Sequence, residues 1–218
     1  MVGSLLYLAV ATRPDISQAV GVAARYSSNP TEAHLTAVKR IMRYLKGSID
    51  IRLRYEKSED GRLIGYSDAD YAGDPDDRHS TTGNLFLFSG GPVSWLSKKQ
   101  GPVNSRSRVC CALSSATQEA VWIRRLLNDL GVPQDRPTVL MEDNQGAICI
   151  AKNPVSSSRT KHIDVRYHYI REALSEDSIE LKYCPMDVMI ADHFTKPLHK
   201  GRFEVLRTSQ LSGSVEVD

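Results

Sequence analysis

Three aspartates stand where a chain commonly presents ligands. Asp68 lies at the end of a predicted strand, Leu63 to Ala69, within Tyr66-Ser67-Asp68-Ala69-Asp70. Asp143 follows directly on a second predicted strand, Val139 to Glu142. Asp192 sits in Ile190-Ala191-Asp192, where Met189 to Thr195 begins the last predicted helix. Acids at such ends can converge on one edge of a sheet. Hard cations such as Mg²⁺ take oxygen ligands of this kind. Two of them about 4 Å apart can hold the attacking and leaving oxygens of a phosphodiester displacement. Spacing alone does not establish convergence, because Asp and Glu are also common at strand ends and helix N-caps.

The elements that must position these acids follow from periodicity. Leu5, Leu6, Leu8 and Ala9 recur at helical spacing, Ile16 to Tyr26 reads as a helix, and Glu32 to Leu45 as another, with Thr31 as N-cap and Gly47 as stop. Ile49, Ile51, Leu53 and Tyr55 alternate as in a strand. Further strands are expected at Leu63 to Ala69, Asn84 to Ser89, Pro92 to Leu96, Val139 to Glu142 and Ile179 to Tyr183. Helices are expected at Ala112 to Leu130, Asn144 to Ala151 and His162 to Leu174. Gly90-Gly91 reads as a turn, not a phosphate loop. Strands followed by alternating helix and strand point to a mixed α/β sheet with helices packed on it. Residues 1–58 form a separate helical unit, with Ser58-Glu59-Asp60-Gly61 as boundary; an α/β domain covers 59–207, and 208–218 is a flexible tail.

Composition sets the bounds. The 218 residues are 41% hydrophobic and 25% charged, an ordinary globular mix. A net charge of +2 does not by itself announce a nucleic-acid binder. No apolar run approaches the roughly 20 residues of a membrane span. Cys110, Cys111, Cys149 and Cys184 match no common zinc spacing and are expected as free thiols. Between Lys39 and Lys57 seven Lys/Arg face two acids, a locally basic stretch. Trp95 and Trp122 are expected in the core. His162 and His168, in a helix with Lys161, Arg166 and Arg171, are expected on the surface.

Several motifs resemble one family. Gly65-Tyr66-Ser67-Asp68-Ala69-Asp70-Tyr71-Ala72-Gly73-Asp74, Val93-Ser94-Trp95-Leu96-Ser97-Lys98-Lys99-Gln100, Glu142-Asp143-Asn144-Gln145, Arg159-Thr160-Lys161-His162-Ile163-Asp164 and Ala191-Asp192-His193-Phe194-Thr195-Lys196-Pro197-Leu198 resemble the ribonuclease H domain of copia-type retrotransposon Pol polyproteins. Val2-Gly3-Ser4-Leu5-Leu6-Tyr7-Leu8, Thr12-Arg13-Pro14-Asp15-Ile16 and Arg43-Tyr44-Leu45-Lys46-Gly47 look like the end of the preceding reverse transcriptase. The resemblance implies a ribonuclease H-like fold: a mixed five-stranded sheet with flanking helices, preceded by the small helical unit. It also implies Mg²⁺ as cofactor, an RNA–DNA hybrid as partner, and four metal-binding acids. Three are Asp68, Asp143 and Asp192. The fourth is a Glu in a Ser-Ser-Thr-Glu-Ala-Glu-Tyr type segment, and here that segment reads Asn104-Ser105-Arg106-Ser107-Arg108-Val109-Cys110-Cys111, with no acid between Lys98 and Ser115.

A local change of reading frame would account for the difference, and the nucleotide sequence tests it. Thr-Glu-Ala-Glu-Tyr-Val written ACA GAA GCA GAG TAT GTA and read from its third base gives AGA AGC AGA GTA TGT. That translates as Arg-Ser-Arg-Val-Cys, the residues at 106–110. Arg106 and Arg108 then add positive charge near the metal position, and with Lys98 and Lys99 form a basic patch able to hold nucleic acid weakly. Glu119, about 11 residues further and so about 16 Å along a helix, is too far to substitute. Nuclease activity is therefore expected to be absent or severely reduced.

A second resemblance competes. Leu5 to Ala11 looks like the apolar part of a secretory signal, within residues 1–22, although Met1 to Ser4 carries no positive charge. Arg43-Tyr44-Leu45-Lys46 nearly matches the Arg-x-Leu-Arg motif for passage into host cells, and Ser58-Glu59-Asp60 follows as a weak acidic element. This order is similar to a secreted RxLR effector of an oomycete plant pathogen. It implies a host plant protein as partner, modulation of host cell death or immunity, and a secreted chain that ends in the host cytoplasm or nucleus. Against it, Arg43 to Gly47 already belongs to the transposon pattern, and Lys46 replaces a chemically different Arg. A transposon relic would stay in the cell that makes it.

Overall fold

The computed structural model describes residues 1–57, 61–70, 73–74, 76–101, 105–153 and 161–212. The expected boundary at Ser58-Glu59-Asp60 lies outside them. Three helices come first: α1 (Val2–Ala11), α2 (Ser17–Arg25) and α3 (Glu32–Lys46). Strands β1 (Ile64–Ala69), β2 (Thr81–Phe88) and β3 (Gly91–Lys99) follow, then α4 (Ser105–Asp129), β4 (Thr138–Glu142), α5 (Gln145–Lys152), α6 (Lys161–Ser175), β5 (Ile179–Tyr183), α7 (Asp192–Thr195) and α8 (Lys200–Ser212). The five strands form one sheet in the order β3-β2-β1-β4-β5. β1, β2 and β3 are antiparallel, while β4 runs parallel to β1 and β5 parallel to β4. This is the mixed five-stranded α/β sheet with flanking helices that the ribonuclease H resemblance implies.

Alternation along the strands supplies both faces of the sheet. Phe86 and Leu140 point to one side, where they pack with Leu113, Ile123, Ile170 and Leu181 under α4 and α6. Their neighbours Leu85 and Met141 point to the other, against Met189, Ile190 and Phe194. A third apolar cluster, with Leu5, Ala9, Ile16, Val20, Val38 and Ile41, holds α1–α3 together. The helical unit also grips the sheet through polar bonds. The Trp95 indole N–H donates to the Ala9 carbonyl at 2.7 Å, and His193 Nε2 lies 3.1 Å from the Asp15 carbonyl. Arg13, buried, forks onto both oxygens of Asp15 at 2.9 and 2.7 Å and reaches the Ser48 hydroxyl at 2.8 Å.

Four expectations are corrected. Ile49 to Tyr55 is not a strand: the Arg54 amide donates to the Leu211 carbonyl and the Glu56 amide to that of Ser89, so no continuous ladder forms. An alternating pattern without a partner strand stays irregular. Trp122 is 56% exposed on the outer face of α4 rather than in the core. The helix begun at Asp192 lasts one turn, because Pro197 lacks an amide and holds Lys196 extended at φ −141, ψ 153. The chain resumes as α8, which continues through Ser212 and buries Gln210 and Leu211, so the expected tail from 208 is helical at its start. Residues 213–218 lie outside the described ones.

Candidate metal centre

The parallel register of β1 and β4 sets the site. Ser67 lies opposite Glu142, so the following residues, Asp68 and Asp143, leave adjacent strands at the same end. Asp192 arrives from α7, which rests on β2 over Gly83, the residue paired with Asp68. A side chain at Gly83 would meet the Ala191 carbonyl at 2.7 Å and Phe194 at 2.9 Å, so only a glycine lets α7 come this close. Carboxylate oxygens of Asp68, Asp143 and Asp192 all lie within 4.8 Å of one another. All three acids foreseen from sequence are therefore brought together.

Burial decides their electrostatics. Desolvation pushes the Asp68 carboxyl up to about 7; the Thr195 hydroxyl, donating to it at 2.6 Å, opposes the rise and the nearby Asp192 charge adds to it. Asp143 is raised by burial and then by Asp192. Glu142, beside them and almost fully buried, is pushed well above the usual carboxylate range by desolvation and by Asp143 and Asp68. Its Oε2 has no hydrogen-bond partner among the described residues. Asp192 has two cationic neighbours, Lys196 Nζ at 2.7 Å and the guanidinium of Arg202. The sequence reading missed both, although the i,i+4 spacing of Asp192 and Lys196 on one helical turn was a usable signal. Three converging acids of hard oxygen chemistry fit one divalent cation.

The wall that should complete the cage is different. α4 begins at Ser105, so residues 105–111 of the departing segment are helical, and this places Val109 in the lining of a cavity of about 1000 Å³ shared with Asp68 and Asp143. A valine supplies no ligand to a second cation. Burial raises the carboxyl of Asp70, and Arg108 lies close enough to oppose that rise electrostatically, while the Arg108 carbonyl accepts from the Gln100 side chain at 3.0 Å. The side chain of Arg106 lies outside the described residues. Glu119 is engaged elsewhere, accepting from the Ser94 hydroxyl at 2.7 Å on β3. Lys99 is neutralised by Asp74 at 2.6 Å and Asp77 at 2.7 Å, so the expected basic patch is partly spent in the fold.

The opposite wall comes from the helical unit, which sequence reading did not place near the acids. Ala19, Val22 and Tyr26 of the α2 region and Arg40 and Ile41 of α3 line the same cavity. The Arg43-Tyr44-Leu45-Lys46 tetrad forms the end of α3, with Arg43 and Lys46 exposed. The Tyr44 hydroxyl donates to Asp15 at 2.5 Å and accepts from Arg207 at 3.2 Å, and Leu45 packs on the helical core. His168 is exposed, as expected, and the side chain of His162 lies outside the described residues.

Comparison with known proteins supplies relatives. No family model matches the chain. A retrovirus-related Pol polyprotein from the transposon TNT 1-94 of Nicotiana tabacum is 44% identical over 208 residues, 94% of this chain. Along nearly its whole length this chain is homologous to retrovirus-related Pol polyproteins of copia-type transposons. It spans 16% of the tobacco polyprotein's length. A relative named secreted RxLR effector protein 161, from Plasmopara viticola, is 48% identical over 124 residues, 56% of this chain and 87% of that protein. Among solved structures, an RNase H1 isolated from compost superposes with TM-score 0.48 at 15% identity, covering 62% of this chain and 93% of that one. Val109, within the segment 104–111 that departs from the resembled motif, stands on the wall of the acid-lined cavity.

Proposed function

We propose that this chain is a copia-type ribonuclease H region that retains the cleft for an RNA–DNA hybrid but has lost most or all of the cutting. The observation that carries the reading is the pairing of three converged acids with an aliphatic Val109 on the same cavity wall. Asp68, Asp143 and Asp192 would hold a single Mg²⁺. A bound Mg²⁺ supplies Lewis-acid stabilisation to a phosphodiester oxygen. The chain's own groups orient and compete: Thr195 fixes Asp68, while Lys196 and Arg202 neutralise Asp192 and must yield for a cation to bind. Mg²⁺ is accordingly weak here.

Replacing Val109 tests this. Val109→Glu returns a carboxylate to the wall, and Mg²⁺ affinity by titration calorimetry should rise about tenfold, the effect of roughly 1.4 kcal/mol. Cleavage of a labelled RNA–DNA hybrid should appear in the variant and be absent or very slow in the parent chain. Parent cleavage at the rate of an intact enzyme, or a Val109→Glu chain with unchanged metal affinity, would refute the reading.

The 87% coverage of an effector from Plasmopara viticola favours a second reading, that the chain is secreted and modulates host cell death or immunity through a plant protein. Fusing residues 1–25 to a reporter active only outside the cell tests it. Export that is abolished by Leu6→Asp with Leu8→Asp would support it. The fold favours retention: Leu5 and Ala9 are buried, and Tyr44 and Leu45 of the tetrad hold the helical unit together.

A further inference from the structure

The basic stretch singled out in the sequence is not used by the acid centre. On the cleft reading above, on which this inference rests, we propose that Lys39, Arg40, Arg43 and Lys46 of α3 form a phosphate track that carries the backbone of an RNA–DNA hybrid away from the acids.

All four side chains are exposed, and none makes an ion pair among the described residues. The cations nearer the acids are otherwise disposed: Arg25 is bound to Asp74 at 2.7 Å, Lys99 to Asp74 and Asp77, and Lys196 to Asp192. Arg40 lines the same cavity as Asp68 and Asp143, so the track starts inside the cleft. Arg43 lies one turn on from both Lys39 and Arg40, and Lys46 one turn beyond it. Like charges at these spacings weaken a helix, and Glu32 is the only acid on α3, at its far end. An anion laid along the face relieves that repulsion. From Lys39 to Lys46 the axis advances about 10 Å, roughly the rise of three base pairs.

The platform is stiff. Val38 and Ile41 bury the other side of α3, and Tyr44 ties it to the Arg13–Asp15 pair. The acids of the cleft repel phosphate, so a hybrid lying there needs a cationic rail beside them, and the phosphate contacts fix its position without reading sequence. The same Arg43 and Lys46 that resemble a host-cell motif thus belong to a nucleic-acid face.

Fluorescence anisotropy with a short labelled RNA–DNA hybrid tests the proposal on the full chain, with EDTA and with Mg²⁺. Each salt titration compares the parent, Arg40→Gln/Arg43→Gln, and a control, Arg125→Gln, whose residue is exposed on α4 about 24 Å along that helix from Val109. The double variant should bind roughly tenfold more weakly, and its plot of log affinity against log salt should be less steep by about 2, near one unit per lost phosphate contact. The control should match the parent. A double variant with the parent's affinity and slope overturns the track while leaving the cleft reading intact. A parent chain that binds no hybrid in either condition overturns both.

Discussion

His193 shows how one residue next to the centre answers to the fold rather than to the chemistry. Its ring is buried between the helical unit and α8, 4.4 Å from the Phe203 ring and in contact with the Asp15 carbonyl. Desolvation pushes its pKa down to about 4 from 6.5. The folded state therefore binds fewer protons than the unfolded one between those values, so the stabilisation is complete above about pH 6.5 and is lost as pH falls towards 4. Its full size is about 3 kcal/mol. Urea midpoints measured from pH 4 to 7 should show His193→Gln with a flatter acid limb than the parent; parallel limbs would remove His193 as the cause. Asp68 has the opposite sign, since its carboxyl is raised to about 7 and its contribution declines as pH rises above 3.8. The three converging acids were legible in sequence, because Asp68 lies near the end of a strand, Asp143 follows one and Asp192 opens a helix, and each stands in a motif that resembles the family's. Val109 was legible only as an absence, since no local pattern says which side chain of a rewritten helix faces a cavity. Arg202 was hidden because it reaches Asp192 from α8, across the break at Pro197.

At the scale of elements, the centre depends on how closely α7 lies against β2. Gly83→Ala would press a methyl into the Ala191 carbonyl and the Phe194 side chain. Overpacking of this kind costs about 1–3 kcal/mol, and the same shift should move Asp192 away from Asp68 and weaken Mg²⁺ binding. Gly3 is the internal control: it lies within α1 with nothing near its absent side chain, so Gly3→Ala should stabilise by up to about 1 kcal/mol and leave metal binding unchanged. Denaturant midpoints together with metal titration separate the two. Gly83→Ala with the parent's stability and Mg²⁺ affinity would show that α7 can adjust. Sequence periodicity placed most helices and the core strands within a few residues, because each has a buried face with a clear repeat. It misread Ile49 to Tyr55, where alternation reflects a chain crossing the surface between the ends of α8 and β2. It also put Trp122 inside, since an amphipathic pattern gives a helix's apolar face but not whether a partner covers it.

At the scale of the whole molecule, the first 22 residues are structural members of the body that forms the cleft. They contribute Leu5, Ala9, Ile16 and Val20 to the helical core, the carbonyl that accepts the Trp95 indole, and the buried Arg13–Asp15 pair. Removing one partner of a buried ion pair costs about 3–5 kcal/mol, so Asp15→Ala, which strands Arg13 and removes the acceptor of the Tyr44 hydroxyl, should lower the urea midpoint sharply. A chain starting at residue 23 loses all of these contacts at once. It should unfold at lower denaturant still, with Trp95 fluorescence shifted to the red before unfolding begins, and its hybrid affinity should fall because α2 and α3 no longer hold their wall of the cavity. The secreted reading requires the reverse, since a processed chain must act without those residues. If the truncated chain keeps the parent's midpoint and emission, the N-terminal segment is dispensable to the fold and free to serve as a leader. If it collapses, cleavage there would destroy the only cleft the described residues build around the acids, and a role that depends on that cleft demands the uncut chain.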